Sequence, residues 1–186
     1  MRKIAMHQLE SLFAAIEENA ALYLPVDTAA GAKFERWARG KTLSDALNTV
    51  RGPKDFFFPQ TENLMDFKVE GKQIEIIDTR KESEDFVVFG VRACDVKSFD
   101  ILDRVFLSEP VDTYYKNRRE HGVIFSLACT RPAETCFCGT FGIDAANPAG
   151  DVACWKTEDA LYLDAKTEKG AALLAKLEAV TAPAET

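Results

Sequence analysis

The sequence predicts an α/β fold, a small mixed sheet with a βαβ unit that carries cysteines at the carboxyl ends of its strands. An α+β arrangement of the same elements is the alternative. Three observations lead there. Phe86–Val91 and Gly122–Leu127 are continuous apolar runs, of a length suited to strands buried on both faces. Between them lie a helical pattern (Val96, Phe99, Ile101, Leu102, Val105, Phe106) and a polar helix or turn over 111–120, the content of a crossover between parallel strands. Each run is followed within three residues by a cysteine, Cys94 or Cys129. In open α/β sheets ligands bind beyond the carboxyl ends of the strands.

The other elements follow in order. Residues 3–19 place Ile4, Leu9, Leu12, Phe13 and Ile16 at helical spacing, which predicts an amphipathic helix. Ala21–Val26 reads as a short strand, with Pro25 implying an edge or a strand end. Gly31–Trp37 is a second short strand or a loop. Thr42–Asp45 opens a short helical segment with Ser44 as its N-cap. The triplet Phe56–Phe58 is expected to pack in the core beside a turn rather than form an aromatic binding patch. Residues 67–77 alternate on both sides of Gly71 and predict a hairpin. Segment 81–85 is a charged loop. Asp95 is expected to cap the helix that follows it. Val152–Trp155 and Ala160–Leu163 read as paired short strands, and Ala171–Val180 as a last helix. Residues 181–186 are small and polar, like a tail or a cut linker.

The bulk composition narrows the function. A chain of 186 residues that is 47% hydrophobic can bury a core as one domain. We expect a single domain over 1–180, with 1–80 as an N-terminal subregion. The net charge of −7, without any run of five basic residues, argues against a nucleic-acid partner. No stretch approaches the roughly 18 apolar residues of a membrane helix, and the N-terminus lacks the apolar core of a signal peptide. The expectation is a cytoplasmic protein without membrane insertion.

Five cysteines without an export signal point away from disulfides and toward metal, cluster or redox chemistry. Cys94, Cys129, Cys136 and Cys138 can supply four thiolates to one site. A [4Fe–4S] cluster takes one thiolate per iron; a structural zinc ion takes four tetrahedrally. The chain has neither the paired Cys-x2-4-Cys knuckles usual for zinc nor the Cys-x2-Cys-x2-Cys run of bacterial ferredoxins. The spacing favours iron–sulfur, with zinc as the alternative. Cys154, beside Trp155 in a strand, reads as a buried spectator. Arg92 and Arg131 each lie within two residues of a candidate ligand. There they would offset a cluster's negative charge and raise its potential, or else pair with Asp95 and Glu134 as ordinary surface cations. His7 and His121 have no nucleophile at recognisable spacing, and no phosphate-binding glycine motif is present. No acid–base or nucleophilic active site is marked. An electron carrier requires none.

The string Phe89-Gly90-Val91-Arg92-Ala93-Cys94-Asp95 resembles a recurring Gly-Val-Arg-x-Cys-Asp signature. It is joined by Leu102–Leu107, Asp112–Glu120, Cys129-Thr130-Arg131-Pro132 and Cys136-Phe137-Cys138. Together they resemble the N-terminal portion of the sulfhydrogenase beta-subunit family, which includes the A subunit of anaerobic sulfite reductase. The resemblance covers residues 86–142 well and the whole chain more loosely. It implies an iron–sulfur subunit that relays electrons between a flavin-bearing partner and a catalytic subunit. The family's cysteine positions fall on Cys94, Cys129, Cys136 and Cys138, and Cys154 lies outside them. Members normally continue into a ferredoxin-like region with two further Cys-x2-Cys-x2-Cys motifs, and this sequence ends before any.

Overall fold

The computed structural model describes residues 1–185, and at residues 81 and 82 the backbone alone. The α/β expectation holds. One eight-stranded sheet contains β1 (Arg2–Ala5), β2 (Ala21–Thr28), β3 (Gly31–Arg36), β6 (Phe86–Val91), β7 (Gly122–Leu127), β8 (Val152–Lys156), β9 (Ala160–Ala165) and β10 (Ala182–Pro183). A separate hairpin is formed by β4 (Asp66–Glu70) and β5 (Gln73–Ile77). The helices are α1 (Leu9–Glu17), α2 (Ala93–Phe106), α3 (Thr113–His121) and α4 (Glu168–Lys176). Across the large sheet the order is β10-β1-β9-β8-β7-β6-β2-β3. Its centre, β2-β6-β7-β8, is parallel, and antiparallel strands flank it on both sides. Strands from before and after residue 80 therefore share one sheet.

Both faces of the sheet are covered, which is why the central strands read as continuous apolar runs. Leu12, Phe13 and Ile16 of α1 and Leu173 and Leu174 of α4 pack with Val87, Phe89, Phe125 and Leu127 on one side. Val96 and Phe99 of α2, Tyr115 of α3, and Phe57 pack with Val88 and Ile124 on the other. Alternation along β6 breaks at Gly90, where the register to β7 shifts between Phe89 and Val91 and φ is +82°. Phe89 faces α1, yet Val91, two residues on, faces α2. That inversion is a β-bulge. A Cβ at Gly90 would meet Pro25 Cδ at 3.1 Å on top of the positive φ, so glycine is required twice over.

Several expectations need correction. The helix predicted from residue 3 begins at Leu9, because Arg2–Ala5 pairs instead with β9, placing Ile4 opposite Leu161. Thr42–Asp45 is not helical. Ser44 is buried, its hydroxyl donates to Asp27 Oδ1 (2.5 Å) and accepts the Ala46 N–H (3.1 Å), and its backbone N–H reaches the Pro25 carbonyl (2.8 Å). It closes a turn rather than capping a helix. Asp95 is not a cap either: the N-cap of α2 is Arg92, and Asp95 lies inside the first turn. Pro25 lies within β2, but pairing with β6 ends at Tyr23, so one side of the strand is open there. In the charged segment 81–85, the side chains of 81 and 82 lie outside the described residues. In the expected tail, Ala182–Pro183 pairs with Arg2–Lys3 on the sheet edge, and residue 186 lies outside the described residues.

The remaining strands match their patterns. β8 and β9 pair antiparallel with Cys154 opposite Leu163. Of the triplet expected in the core, Phe57 is fully buried and Phe56 half-buried, whereas Phe58 is exposed and stacks on Phe106 at 4.5 Å.

Candidate metal centre

β6 and β7 are adjacent and parallel, with Val91 opposite Ser126. Both chains therefore leave the sheet side by side, one into α2 and the other into the loop 128–151 that returns as β8. Cys94 is the second residue of α2 and is exposed; Cys129 lies two residues beyond β7 and is half-buried. Cys136 and Cys138 lie in the loop, exposed and half-buried respectively.

The loop is held by its own hydrogen bonds. Ala128 N–H donates to the Cys154 carbonyl (2.9 Å), Cys129 N–H to Ala145 (2.9 Å) and Ile143 N–H to Cys138 (3.0 Å). Trp155 Nε1–H reaches the Ala146 carbonyl at 2.7 Å. Cys138–Phe141 forms a 3-10 turn that ends at Gly142 with φ +62°, the left-handed conformation glycine adopts without strain. The Ala133 N–H points at Cys136 Sγ (3.2 Å). Sulfur acceptance of this kind fixes the orientation of the Cys136 side chain.

Cys94 and Cys129 each lie within the electrostatic reach of neighbouring thiols. Cys94 is pushed above the usual thiol range first by burial, then by Asp95, Cys138 and Cys129, while the Asp95 backbone N–H works the other way. Cys129 is pushed up by burial, opposed by the Arg92 guanidinium, and raised further by Cys138 and Cys136. Burial wins at both, so the free thiols are protonated at neutral pH and a metal must displace those protons. Among the described residues, however, no three His, Cys, Asp or Glu side chains converge far enough to hold one metal ion. A tetrahedral zinc at about 2.3 Å from each sulfur would need sulfurs roughly 3.8 Å apart. A four-iron cluster takes one thiolate per iron, so its four sulfurs must also surround one centre, only farther apart.

Arg92 is placed at the site and Arg131 is not tied to it. Arg92 donates to the Ala46 carbonyl (2.9 Å) and, more weakly, to the Ala128 carbonyl (3.4 Å) next to Cys129. Arg131 is exposed, and among the described residues it forms no ion pair. Asp95 is pushed up by burial against the pull of Lys54 and Arg92. Cys154 is fully buried in β8 among the core side chains, and burial pushes its thiol far up. His121 meets Asp85 at 2.7 Å, at the opposite end of β6.

Two features escaped the sequence reading. Segment 46–54 covers the start of α2, with Ala46 bound by Arg92 and Gly52 beside Asp95; Gly52-Pro53 was its only visible signal. Phe137 and Phe141, 65% and 62% exposed, pair at 5.7 Å beside the cysteines, and the place of Phe137 between Cys136 and Cys138 could have drawn notice. A cavity of about 550 Å³ lies elsewhere, at the amino ends of β2 and β6, lined by Tyr23, Phe56, Arg80, Tyr114 and Arg118. It contains none of the cysteines.

No helix among the described residues is long and apolar enough to cross a membrane. No protein-family model matches the chain, and no solved structure does. Among characterised proteins, the chain is 31% identical over 173 residues to "Sulfhydrogenase 2 subunit beta" of Pyrococcus furiosus. The match covers 91% of this chain and 50% of that protein, so the chain spans about half the length of its relative.

Proposed function

This chain is related to the sulfhydrogenase beta-subunit family, and from that premise we propose that it is an iron–sulfur electron-transfer domain of a multi-subunit oxidoreductase of hydrogenase or sulfite-reductase type. Cys94, Cys129, Cys136 and Cys138 ligate one [4Fe–4S] cluster, and residues 1–180 form the single domain that carries it. The observation that supports this reading most is the delivery of these four cysteines by two adjacent parallel strand ends and the one loop that follows them. The cluster supplies reversible one-electron chemistry when bound. The chain's own residues provide the rest. Arg92 sets positive charge beside Cys129, which favours its thiolate and would stabilise the reduced, more negative state of a bound cluster, raising its potential. Cys129 and Cys138 are half-buried, which shields these two ligands in part from water.

In the relative, the printed name makes the protein one subunit of an assembly. By that likeness the present chain passes electrons between a flavin-bearing subunit and a catalytic subunit. The test is spectroscopic. Protein purified without oxygen and titrated with a low-potential reductant should lose a broad visible absorbance and gain the paramagnetic signal of a reduced cluster. Cys94→Ser, Cys129→Ser, Cys136→Ser and Cys138→Ser should each abolish or alter both. A colourless protein whose zinc is lost on chelation would replace this reading with a docking module of no redox role.

A further inference from the structure

The loop that carries three of the four candidate ligands has little regular structure of its own. Between the ends of β7 and β8 it holds one short 3-10 turn, Cys138–Phe141. Ordered segments this long without strands or helices are usually functional. A turn near its end gathers two of the cysteines. The Ala145 carbonyl accepts the Cys129 N–H (2.9 Å), and the Ile143 N–H donates to the Cys138 carbonyl (3.0 Å). Asp144 closes this turn, its Oδ1 accepting the N–H groups of Ala146 (3.0 Å) and Asn147 (3.2 Å). The next carbonyl, that of Ala146, accepts Trp155 Nε1–H at 2.7 Å. Among the described residues, Trp155 is the one residue outside the loop 128–151 that hydrogen-bonds to positions 130–150.

Trp155 lies in β8, one residue beyond Cys154, whose carbonyl takes the Ala128 N–H (2.9 Å). The strand therefore fixes the entry to the loop through its backbone and the turn through a side chain. The indole N–H is a donor only, which suits it to a carbonyl and to nothing else in the turn. Lys166 Nζ lies 5.5 Å from the ring centroid and pairs in turn with Asp164 (2.8 Å), which steadies the ring. We propose that Trp155 is a positioning residue of the metal centre: by anchoring turn 143–147 to the sheet it holds Cys129 and Cys138 in place for the cluster. This inference rests on the reading of those cysteines as ligands. Cys94 is delivered separately, by α2, and does not depend on Trp155.

Trp155→Phe keeps a ring and loses the donor. With the full chain iron-free and kept reduced, the rate at which iodoacetamide labels each cysteine, resolved by mass spectrometry, reports how often its surroundings open. Trp155→Phe should label Cys129 and Cys138 ~2- to 10-fold faster than the wild type, the weight of one neutral hydrogen bond. Cys94 and the fully buried Cys154 should keep their wild-type rates. Asp144→Ala opens the same turn and should raise the same two rates. The double variant should exceed either single one by less than the product of their effects, because both act through one turn. After anaerobic loading with iron and sulfide, Trp155→Phe should release iron to a chelator faster by a similar factor. Unchanged labelling at Cys129 and Cys138 overturns the proposal. So does a matching rise at Cys154, which would report loss of the core rather than of the turn. Faster labelling of the two cysteines in a protein that takes up no iron keeps Trp155 as the anchor and fails the cluster alone.

Discussion

Replacing Gly170 by Ala sets two effects of opposite sign against each other. Within a helix the change is ordinarily favourable, by at most about 1 kcal/mol. Here a Cβ would lie 2.1 Å from the Asp151 carbonyl oxygen and 2.7 Å from its carbon, roughly 1 Å short of any ordinary contact. The carbonyl cannot retreat. Asp151 N–H donates to Ile124 (2.9 Å), its carboxylate accepts from Ile124 N–H (2.8 Å) and Thr167 Oγ1 (2.7 Å), and its carbonyl accepts from Lys166 N–H (2.8 Å). So α4 must move instead, lifting Leu173, Leu174 and Leu177 off the core. Each buried leucine contributes ~1.5–3 kcal/mol, so losing a third of three costs about 2. Residual overpacking adds ~1–3 kcal/mol. The net expectation is a loss of about 3 kcal/mol, read as a urea midpoint lowered by roughly 1.5 M for a slope near 2 kcal/mol/M. Asp151 is also where the cysteine loop rejoins the sheet, so metal loading should become temperature-sensitive in the variant. A midpoint equal to or above the wild type's would refute the packing of α4 over Asp151.

Three other outcomes follow from single contacts. Arg119 holds Asp103 through two bonds (2.8 and 2.9 Å) and Tyr115 Oη adds a third (2.6 Å). Burial raises the Asp103 carboxyl, but these partners outweigh it and leave its pKa below the usual range. Because the folded value is depressed, the stabilisation is present above the unfolded value of about 3.9 and disappears as pH falls through the folded one. Asp103→Asn should cost ~1–3 kcal/mol at pH 7 and nearly nothing at the acid end, by urea denaturation across pH; a pH-independent loss would sink this reading. Arg92→Met removes charge-assisted bonds to Ala46 and Ala128 and should destabilise by ~1.5–3 kcal/mol while lowering the potential of the loaded protein; an unchanged potential would remove Arg92 from its tuning role. Cys154→Ala should cost about 1 kcal/mol for the small void left in the core and leave iron content untouched. Iron lost with Cys154 would mean it is a ligand.

The central fold was legible because its strands are buried on both faces. Phe86–Val91 and Gly122–Leu127 could hardly be anything but parallel core strands, and the cysteines behind them inherited their positions. Elements whose identity depends on distant partners were not legible. Ile4 sits on the helical period of Leu12 and Ile16, yet β9 claims its backbone, and nothing within residues 1–20 announces β9. Ser44 has the right chemistry for a cap, but Asp27 competes for its hydroxyl. For Asp95 the error was one of three residues: the bulge at Gly90 and the extended Arg92 start α2 early. At the site, spacing told which cysteines travel together but not how far apart they stand. Arg131 also shows that proximity in sequence to a ligand does not place a cation: Arg92 faces the site and Arg131 lies on the surface.

The most direct test of the central claim is the iron, acid-labile sulfide and zinc content of protein purified without oxygen. About four irons and four sulfides per chain are expected, lost in Cys136→Ser and Cys138→Ser and kept in Cys154→Ala. One zinc without iron would contradict the electron-transfer reading and leave a docking domain. Protein that binds neither, even after anaerobic reconstitution with iron and sulfide, would contradict the cluster itself and return the four cysteines to the fold.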